Sequence, residues 1–460
     1  MPRFVVVGGG IAGLAAAWAA ADVARRAGRN LHVIVLERER EVGGKARSCR
    51  EGPWLVEHGP SGFLRGNPEF ERLIAAAGMT DAVVTARPAA RRRFVYRKGA
   101  LRPLRASPFA LVRSGILGVG GAARLACELF VPRAAADCSD ETVWEFAARR
   151  IGAQAADRLV VPMCLGVFAG DAKRLSLQSA FPQMASLERN HGGLIRGLAA
   201  QRGRTSSGPL SSFRDGMQSL PLALAIRGGF SVVRGAEVTQ ISHDGCRWNI
   251  NTARSGAFAA DAVILAVEPW RAAGLVAPIA PAAGAALAGI SCPPIAVVAL
   301  GFGPAARTHI PDGFGVLLSP GQGFRMLGNL WETSLYPGRG PEGSILVRAM
   351  LGGAIDPDIA LLDDVAVLAV AEREVRSIYR LAEAPAFTRV VRIARAIPQY
   401  ERGHAVRVNT VEGAVRALPR LDVTGFGLRG VGFSDAAADG ARTGARMAAR
   451  LLETLRAEVA

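Results

Sequence analysis

Lysine is nearly absent from this 460-residue chain. Only Lys45, Lys98 and Lys173 occur, so almost all of the 56 basic residues behind a formal net charge of +17 are arginine. The arginines are scattered, aromatics make up only 6% of the chain, and no zinc-finger or RNP-like pattern is present. Together these argue against nucleic acid as a partner. The charge fits an anionic lipid surface or a carboxylated substrate better. Cysteine is scarce as well. Cys49, Cys127, Cys138, Cys164, Cys246 and Cys292 form no C-x-x-C pair, which excludes the usual structural zinc and dithiol redox patterns and leaves reduced thiols. The six histidines show no metal-ligand spacing, so no metal is expected. Long apolar runs are missing too: nothing reaches the ~18 uncharged residues needed to span a bilayer. The longest candidate, residues 116–132, is interrupted by Arg124 and Glu128 and reads as an amphipathic or core helix, suited to a membrane surface. The N-terminus runs directly into a strand pattern, so no cleavable signal is expected.

What the chain does have is glycine in a telling place. VVVGGGIAGLAAA, residues 5–17, puts β-branched residues before a glycine cluster and alanines after it. That is the order of a buried strand, a tight turn and a helix. Gly8, Gly10 and Gly13 fit G-x-G-x-x-G, in which the first glycine permits the turn, the second lets a pyrophosphate approach the backbone, and the third lets helix pack on strand. A second apolar strand, LHVIVLERE at 31–39, ends in Glu37 at the spacing expected for a carboxylate on a ribose hydroxyl. The two segments together describe a dinucleotide site.

A chain of this length is expected to hold two or three domains. Residues 66–204 read as mostly helical, with turns at Pro103, Pro108 and Pro162. Strand patterns return at 228–252 and in ADAVILAVEPW (260–270), and both are placed back beside the first strand. Segments such as PIAVVALGFG and SILVRAMLGGA suit an antiparallel sheet. The final stretch, from about 428, is a glycine-rich turn feeding a long helix.

After Glu37 come Glu41-Val42-Gly43-Gly44-Lys45, and this extension resembles that of the amine-oxidase-like flavoproteins, in which extra glycines and a basic residue lie beside the FAD phosphates. Further along, LGVFAGDAKRLSLQSAFPQM (165–184), SSFRDGMQSL (211–220), DGFGVLL (312–318), AIPQYERGH (396–404) and GLRGVGFSDAAADGART (427–443) resemble, in order over nearly the whole chain, the protoporphyrinogen oxidase family. The resemblance implies a mixed α/β fold. It comprises a discontinuous Rossmann-like FAD domain (1–65, 205–275 and 396–460), an antiparallel-sheet substrate domain (276–395) and a helical, membrane-associating domain (66–204). It implies FAD contacts from Gly8, Gly10, Ile11, Ala12, Gly13, Glu37, Arg38, Gly44 and Lys45. Gly59 and Pro60 would lie along the flavin, Val238 at the adenine end, and Gly432, Phe433 and Ser434 around the ribityl chain and ring.

For a porphyrinogen substrate the same resemblance assigns Arg93 as the propionate anchor, a task suited to a planar guanidinium. Gly166 would offer a backbone carbonyl to pyrrole N–H groups. Leu317, Leu330 and Met350 would line the apolar faces. Three positions depart from the family pattern: Ser61 stands where some relatives have Asn, Ala405 where many have an aromatic, and Met350 where some have a stacking ring. The chain shows no Ser-His-Asp set and no paired carboxylates, which fits chemistry carried by a cofactor. The expected activity is six-electron oxidation of protoporphyrinogen IX, with O2 as acceptor and hydrogen peroxide as product. The protein is expected in the cytoplasm, peripherally associated with the cytoplasmic membrane, and a homodimer is allowed. Alternatives are coproporphyrinogen III oxidation by the same family, an amine oxidase or carotenoid desaturase, and a non-catalytic carrier resembling the GDP-dissociation inhibitors.

Overall fold

The structure is a computed structural model, and it describes residues 1–104, 107–134, 140–201 and 208–457. Cys138 and the expected boundary at 204/205 lie outside the described residues. The opening run forms the strand Arg3–Val7 and the helix Ile11–Arg26. Val-rich segments buried on both faces favour parallel pairing, and this strand sits at the centre of a five-stranded parallel sheet. The order across it is Ser231–Arg234, His32–Glu37, Arg3–Val7, Ala262–Leu265 and Leu421–Val423. Three separate stretches of the sequence, 3–37, 231–265 and 421–423, thus build one sheet.

Residues 11–20 of the first helix are all buried. The last helix, Phe433–Ala457, packs along them, and glycine explains how closely. A Cβ at Gly440 would overlap the carbonyl oxygen of Ala12, and one at Gly444 that of Ala16. Glycines one helical turn apart face alanines one turn apart, so the two backbones touch.

The second large sheet has seven strands, in the order Phe387–Ile393, Ile295–Phe302, Ile345–Gly352, Met326–Trp331, Gly315–Leu318, Arg93–Arg97 and Ala100–Pro103. Its pairings are antiparallel except where Gly315–Leu318 meets Arg93–Arg97 in parallel. One face packs on the helix Asp364–Tyr379 through Ala296, Val298, Leu300, Val347, Ala349 and Leu351. The mixed α/β class expected from the sequence is therefore what the chain adopts.

Two local readings need correction. Residues 93–103, read with the helical segment, are strands that extend the seven-stranded sheet, because residues 315–318 offer them an edge more than 200 residues away. Pro162 is not a turn. It lies in the first turn of the helix Val161–Phe168, which continues from a π-helical segment at Ala156–Val160. The wider winding there accommodates a residue that cannot donate a backbone hydrogen bond. Elsewhere in the helical segment Arg150, fully buried, is held by Glu128 and Glu188. Residues 116–132 form the short helix Val119–Ala126 and the turn Cys127–Phe130, with Ile116 and Leu117 buried and Val119 and Phe130 exposed. No helix among the described residues is long and apolar enough to cross a membrane.

Candidate active site

The three glycines of the opening turn differ in what surrounds them. Gly8 has φ of +110°, which side-chain-bearing residues rarely adopt. A Cβ on Gly13 would overlap the carbonyl oxygen of Gly8, so Gly13 sets how closely helix meets strand. Gly10 has ordinary extended angles (φ −73°, ψ 174°), and apart from adjoining chain no described atom lies within 4 Å of where its Cβ would be. Neither backbone strain nor packing requires glycine there. An open cradle does. Gly10 is also the N-cap of the first helix, with no side-chain cap and no acid in the first turn, which leaves N–H groups and the positive end of the helix dipole free for an anion.

Residues 43–44 close over this turn. Gly43 N–H donates to Gly9 O at 2.9 Å, and the site of a Gly44 Cβ would lie 3.2 Å from Gly10 Cα. Glu37, at the end of the second strand and 6% exposed, accepts from Gly9 N–H at 2.6 Å through one oxygen and from Glu39 N–H at 2.8 Å through the other. Burial pushes its carboxyl above the usual range while the two N–H donors pull it down. Each oxygen keeps a lone pair for a further donor. Ala236 N–H donates to Glu37 O at 2.8 Å, so the chain leading into Val238 passes beside Glu37. Arg38 is exposed and pairs with Glu39 at 3.1 Å.

At the other end, a Cβ on Gly425 would sit 3.7 Å from Ala12 Cβ, so the loop before the last helix meets the start of the first. Asp439 orders this loop, accepting from Thr424 Oγ1 at 2.7 Å, Gly425 N–H at 3.3 Å and Arg429 Nη1 at 3.1 Å. Sequence reasoning missed Asp439, and an acid one turn inside a glycine-fed helix was its only signal. Gly432 and Ser434 flank this helix start. The Phe433 ring turns inward, 5.8 Å from the Phe70 centroid, edge to face. Lys45 meets protein groups: its ammonium donates to Arg395 O at 2.7 Å, lies 3.9 Å from Glu268 and sits over the Trp270 and Phe426 rings. Burial draws its pKa below the ordinary lysine value.

The residues expected to touch substrate gather on the seven-stranded sheet. Paired residues in a sheet project to the same face. Through Gly315 opposite Arg93 and Leu330, Gly328 opposite Leu317 and Met350, and Leu330 opposite Arg348, the side chains of Arg93, Leu317, Leu330, Arg348 and Met350 share one face. Leu317, Leu330 and Met350 are only half-buried, unlike most of their strand neighbours. The helix Val161–Phe168 covers this face, and a Cβ on Gly166 would lie 2.8 Å from Leu317 Cδ2. Gly166 is exposed in the last turn of that helix, and its carbonyl accepts no hydrogen bond from the described residues. Arg93 is exposed, with its guanidinium 4.9 Å from the Phe314 ring centroid. The loop Gly59–Ser61 follows the strand Trp54–Glu57 and touches both regions. A Cβ on Gly59 would overlap Lys45 O, and the Gly59 carbonyl accepts from Arg348 at 2.6 Å.

A groove of about 270 Å³ between the first and last helices and the helix Pro68–Ala76 is lined by Trp18, Asp22, Arg72 and Arg442 among others and holds none of these residues. Among the described residues, no group of three or more His, Cys, Asp or Glu side chains converges as a metal site.

Comparison with known proteins decides the family. The description "Flavin containing amine oxidoreductase" matches residues 11–452. The chain belongs to that family. It is an FAD-dependent oxidoreductase. The coproporphyrinogen III oxidase of Bacillus subtilis is 29% identical over 454 residues, covering 95% of this chain and 96% of the relative. Human protoporphyrinogen oxidase is 31% identical over 478 residues, again covering 95% and 96%. Among solved structures, a protein of Exiguobacterium sp. 255-15, provisionally assigned as a protoporphyrinogen oxidase, superposes with a TM-score of 0.84 at 22% identity over 98% of this chain and 99% of that one. Cyclohexylamine oxidase from Brevibacterium oxydans gives 0.70 at 16% identity over 99% of each. These two likenesses are of fold. The residues present fit the cofactor of the family: the open cradle at Gly10, the uncapped helix end and the oriented Glu37 carboxylate match a pyrophosphate and a ribose.

Proposed function

We propose that this flavoenzyme oxidises protoporphyrinogen IX to protoporphyrin IX with O2 as final acceptor. The observation that carries the reading is the half-buried apolar patch of Leu317, Leu330 and Met350, on the sheet face that also carries Arg93 and with Gly166 packed against Leu317. The names of relatives that match over nearly the full chain agree with it. Gly8, Gly10, Ile11, Ala12, Gly13, Glu37, Arg38, Gly44 and Lys45 hold the dinucleotide from the first unit, Val238 closes the adenine end, and Gly432, Phe433 and Ser434 meet the ribityl chain and ring. Phe433 does so through its backbone, since its ring lies in the core. Gly59 and Pro60 lie along the flavin. Bound FAD supplies two-electron hydride acceptance, and three rounds, each consuming one O2 and releasing one hydrogen peroxide, remove six electrons and six protons.

The chain's own residues bind and orient. Arg93 anchors a propionate through two parallel N–H bonds, Gly166 O receives pyrrole N–H donors, and the apolar trio holds the macrocycle and excludes water. Ser61, shorter than the Asn of some relatives, reaches the substrate from the loop. No side chain is required to act as acid or base, and orientation is the protein's contribution. The cofactor unit draws on 1–65, 205–275 and 396–460, the substrate unit on 276–395 with strands 93–103 added, and the membrane-associating unit on the remainder of 66–204. In the latter, Phe109, Val119 and Phe130, each at least 76% exposed, lie on consecutive elements that pack on one another and dip into an anionic bilayer from the cytoplasmic side.

The second reading, coproporphyrinogen III as substrate, is favoured by the names of the Bacillus and Propionibacterium relatives. Purified protein assayed with both porphyrinogens by porphyrin fluorescence, with peroxide measured in parallel, decides between them. No turnover of either refutes both readings.

A further inference from the structure

Two buried arginine–glutamate pairs converge on the loop Gly59–Ser61. Glu57, 1% exposed, ends the strand before the loop. Its carboxylate accepts from Arg339 Nη1 at 2.9 Å, Ser48 Oγ at 2.6 Å and Met217 N–H at 3.0 Å. Arg348, 4% exposed, comes from the opposite side, on the sheet face that carries its cross-strand partner Leu330 and, two residues on, Met350. Its Nη1 donates to Gly59 O at 2.6 Å and to Glu57 O at 3.2 Å. Glu332, 1% exposed, forms an ion pair with Arg348, Oε1 to Nε at 2.8 Å, without hydrogen-bond alignment: among the described residues neither Glu332 oxygen nor Arg348 Nε has a hydrogen-bond partner. The Glu332 carboxylate therefore has one evident task, which is to hold the Arg348 guanidinium.

A buried ion pair is a poor device for stability alone, because desolvating both charges offsets much of their attraction. It is a good device for fixing direction, because a planar guanidinium held at one edge presents its other N–H groups at set angles. The loop needs such an anchor, since Pro60 has no N–H of its own. From these contacts we infer that Arg348, oriented by Glu332, is a positioning residue that ties the proposed substrate face to the proposed flavin-side loop and so sets the alignment of the two reactants. The inference rests on the reading that Gly59–Ser61 lie along the flavin. A charged donor on Gly59 O also fixes the direction of a carbonyl dipole at that position, so the flavin's spectrum reports on the contact independently of turnover.

The test uses the FAD-loaded protein. Arg348→Met alone would strand the Glu332 charge in the core, so the informative variant is Arg348→Met with Glu332→Leu, which removes both charges at similar volume; Arg348→Lys is the conservative companion. For the double variant we expect wild-type flavin content and thermal stability, a shifted visible flavin envelope, and a kcat lower by on the order of ten- to a hundredfold with KM changed much less. Arg348→Lys restores part of kcat. A double variant with wild-type spectrum and kcat overturns the inference, as does one whose losses track lowered stability alone. Ser61→Leu, on the loop itself, separates the two levels. If Ser61→Leu shifts the flavin spectrum and the double variant does not, positioning by Arg348 falls. If neither variant shifts it, the loop reading falls and takes the inference with it.

Discussion

Gly10→Val tests the cofactor cradle at the one loop glycine that the fold does not need. The backbone there is extended (φ −73°, ψ 174°), which valine adopts without strain, and apart from adjoining chain no described atom lies within 4 Å of the new Cβ. Losing a glycine stabilises by about 0.4–1 kcal/mol through the unfolded chain, and losing a favourable N-cap costs about as much. The apoprotein should therefore stay within about 1 kcal/mol of wild type. Gly13→Ala is the contrast. Its Cβ overlaps the carbonyl oxygen of Gly8, and relieving that overlap costs about 1–3 kcal/mol. FAD shows the reverse pattern. At free FAD a hundred times Kd, binding adds about 2.7 kcal/mol to the folded state; Gly10→Val should lose that whole increment, because its side chain fills the space of the pyrophosphate. The assay is thermal melting of apoprotein with and without added FAD, alongside flavin absorbance of the purified protein. A yellow Gly10→Val protein with the full FAD-dependent rise in Tm refutes the cradle, and an apoprotein as destabilised as Gly13→Ala refutes the packing argument.

Arg93→Ala should lower kcat/KM for porphyrinogen by about 1.5–3 kcal/mol, with flavin content and Tm unchanged because the side chain is exposed; Arg93→Lys should recover part, and unchanged kinetics would move the anchor to Arg91 or Arg92. Burial holds His58 and His404 below the ordinary histidine value of 6.5, so the unfolded chain takes up protons before the folded one does. Their share of stability is present above about pH 6.5 and is lost as pH falls toward the depressed folded values, which melts between pH 7.5 and 5 should show and His404→Asn should blunt. In liposome flotation the protein should bind anionic vesicles at low salt and release as screening shortens the reach of charge to about 10 Å near 0.1 M. Phe130→Ser should weaken that binding, and an unaltered variant would remove Phe130 from the contact.

The dinucleotide unit was legible in the sequence because its signals are local. A β-branched run, three spaced glycines and an acid after the second strand each act within a turn or two of chain, and the ordered motifs downstream were enough to recognise the family and expect FAD. Tertiary structure decided what depends on distant partners. Strand 93–97 reads as part of a helical segment until residues 315–318 present an edge to it. Phe433 reads as a cofactor-side residue until Phe63 and Phe70 turn its ring into the core. Gly10 and Gly13 are alike in sequence, and only their surroundings separate an open cradle from a packing contact. Arg348 and Glu332 carry no motif at all. Their meaning comes from a loop nearly 300 residues earlier, because a buried charge is defined by what surrounds it in space, and a one-dimensional pattern does not record that.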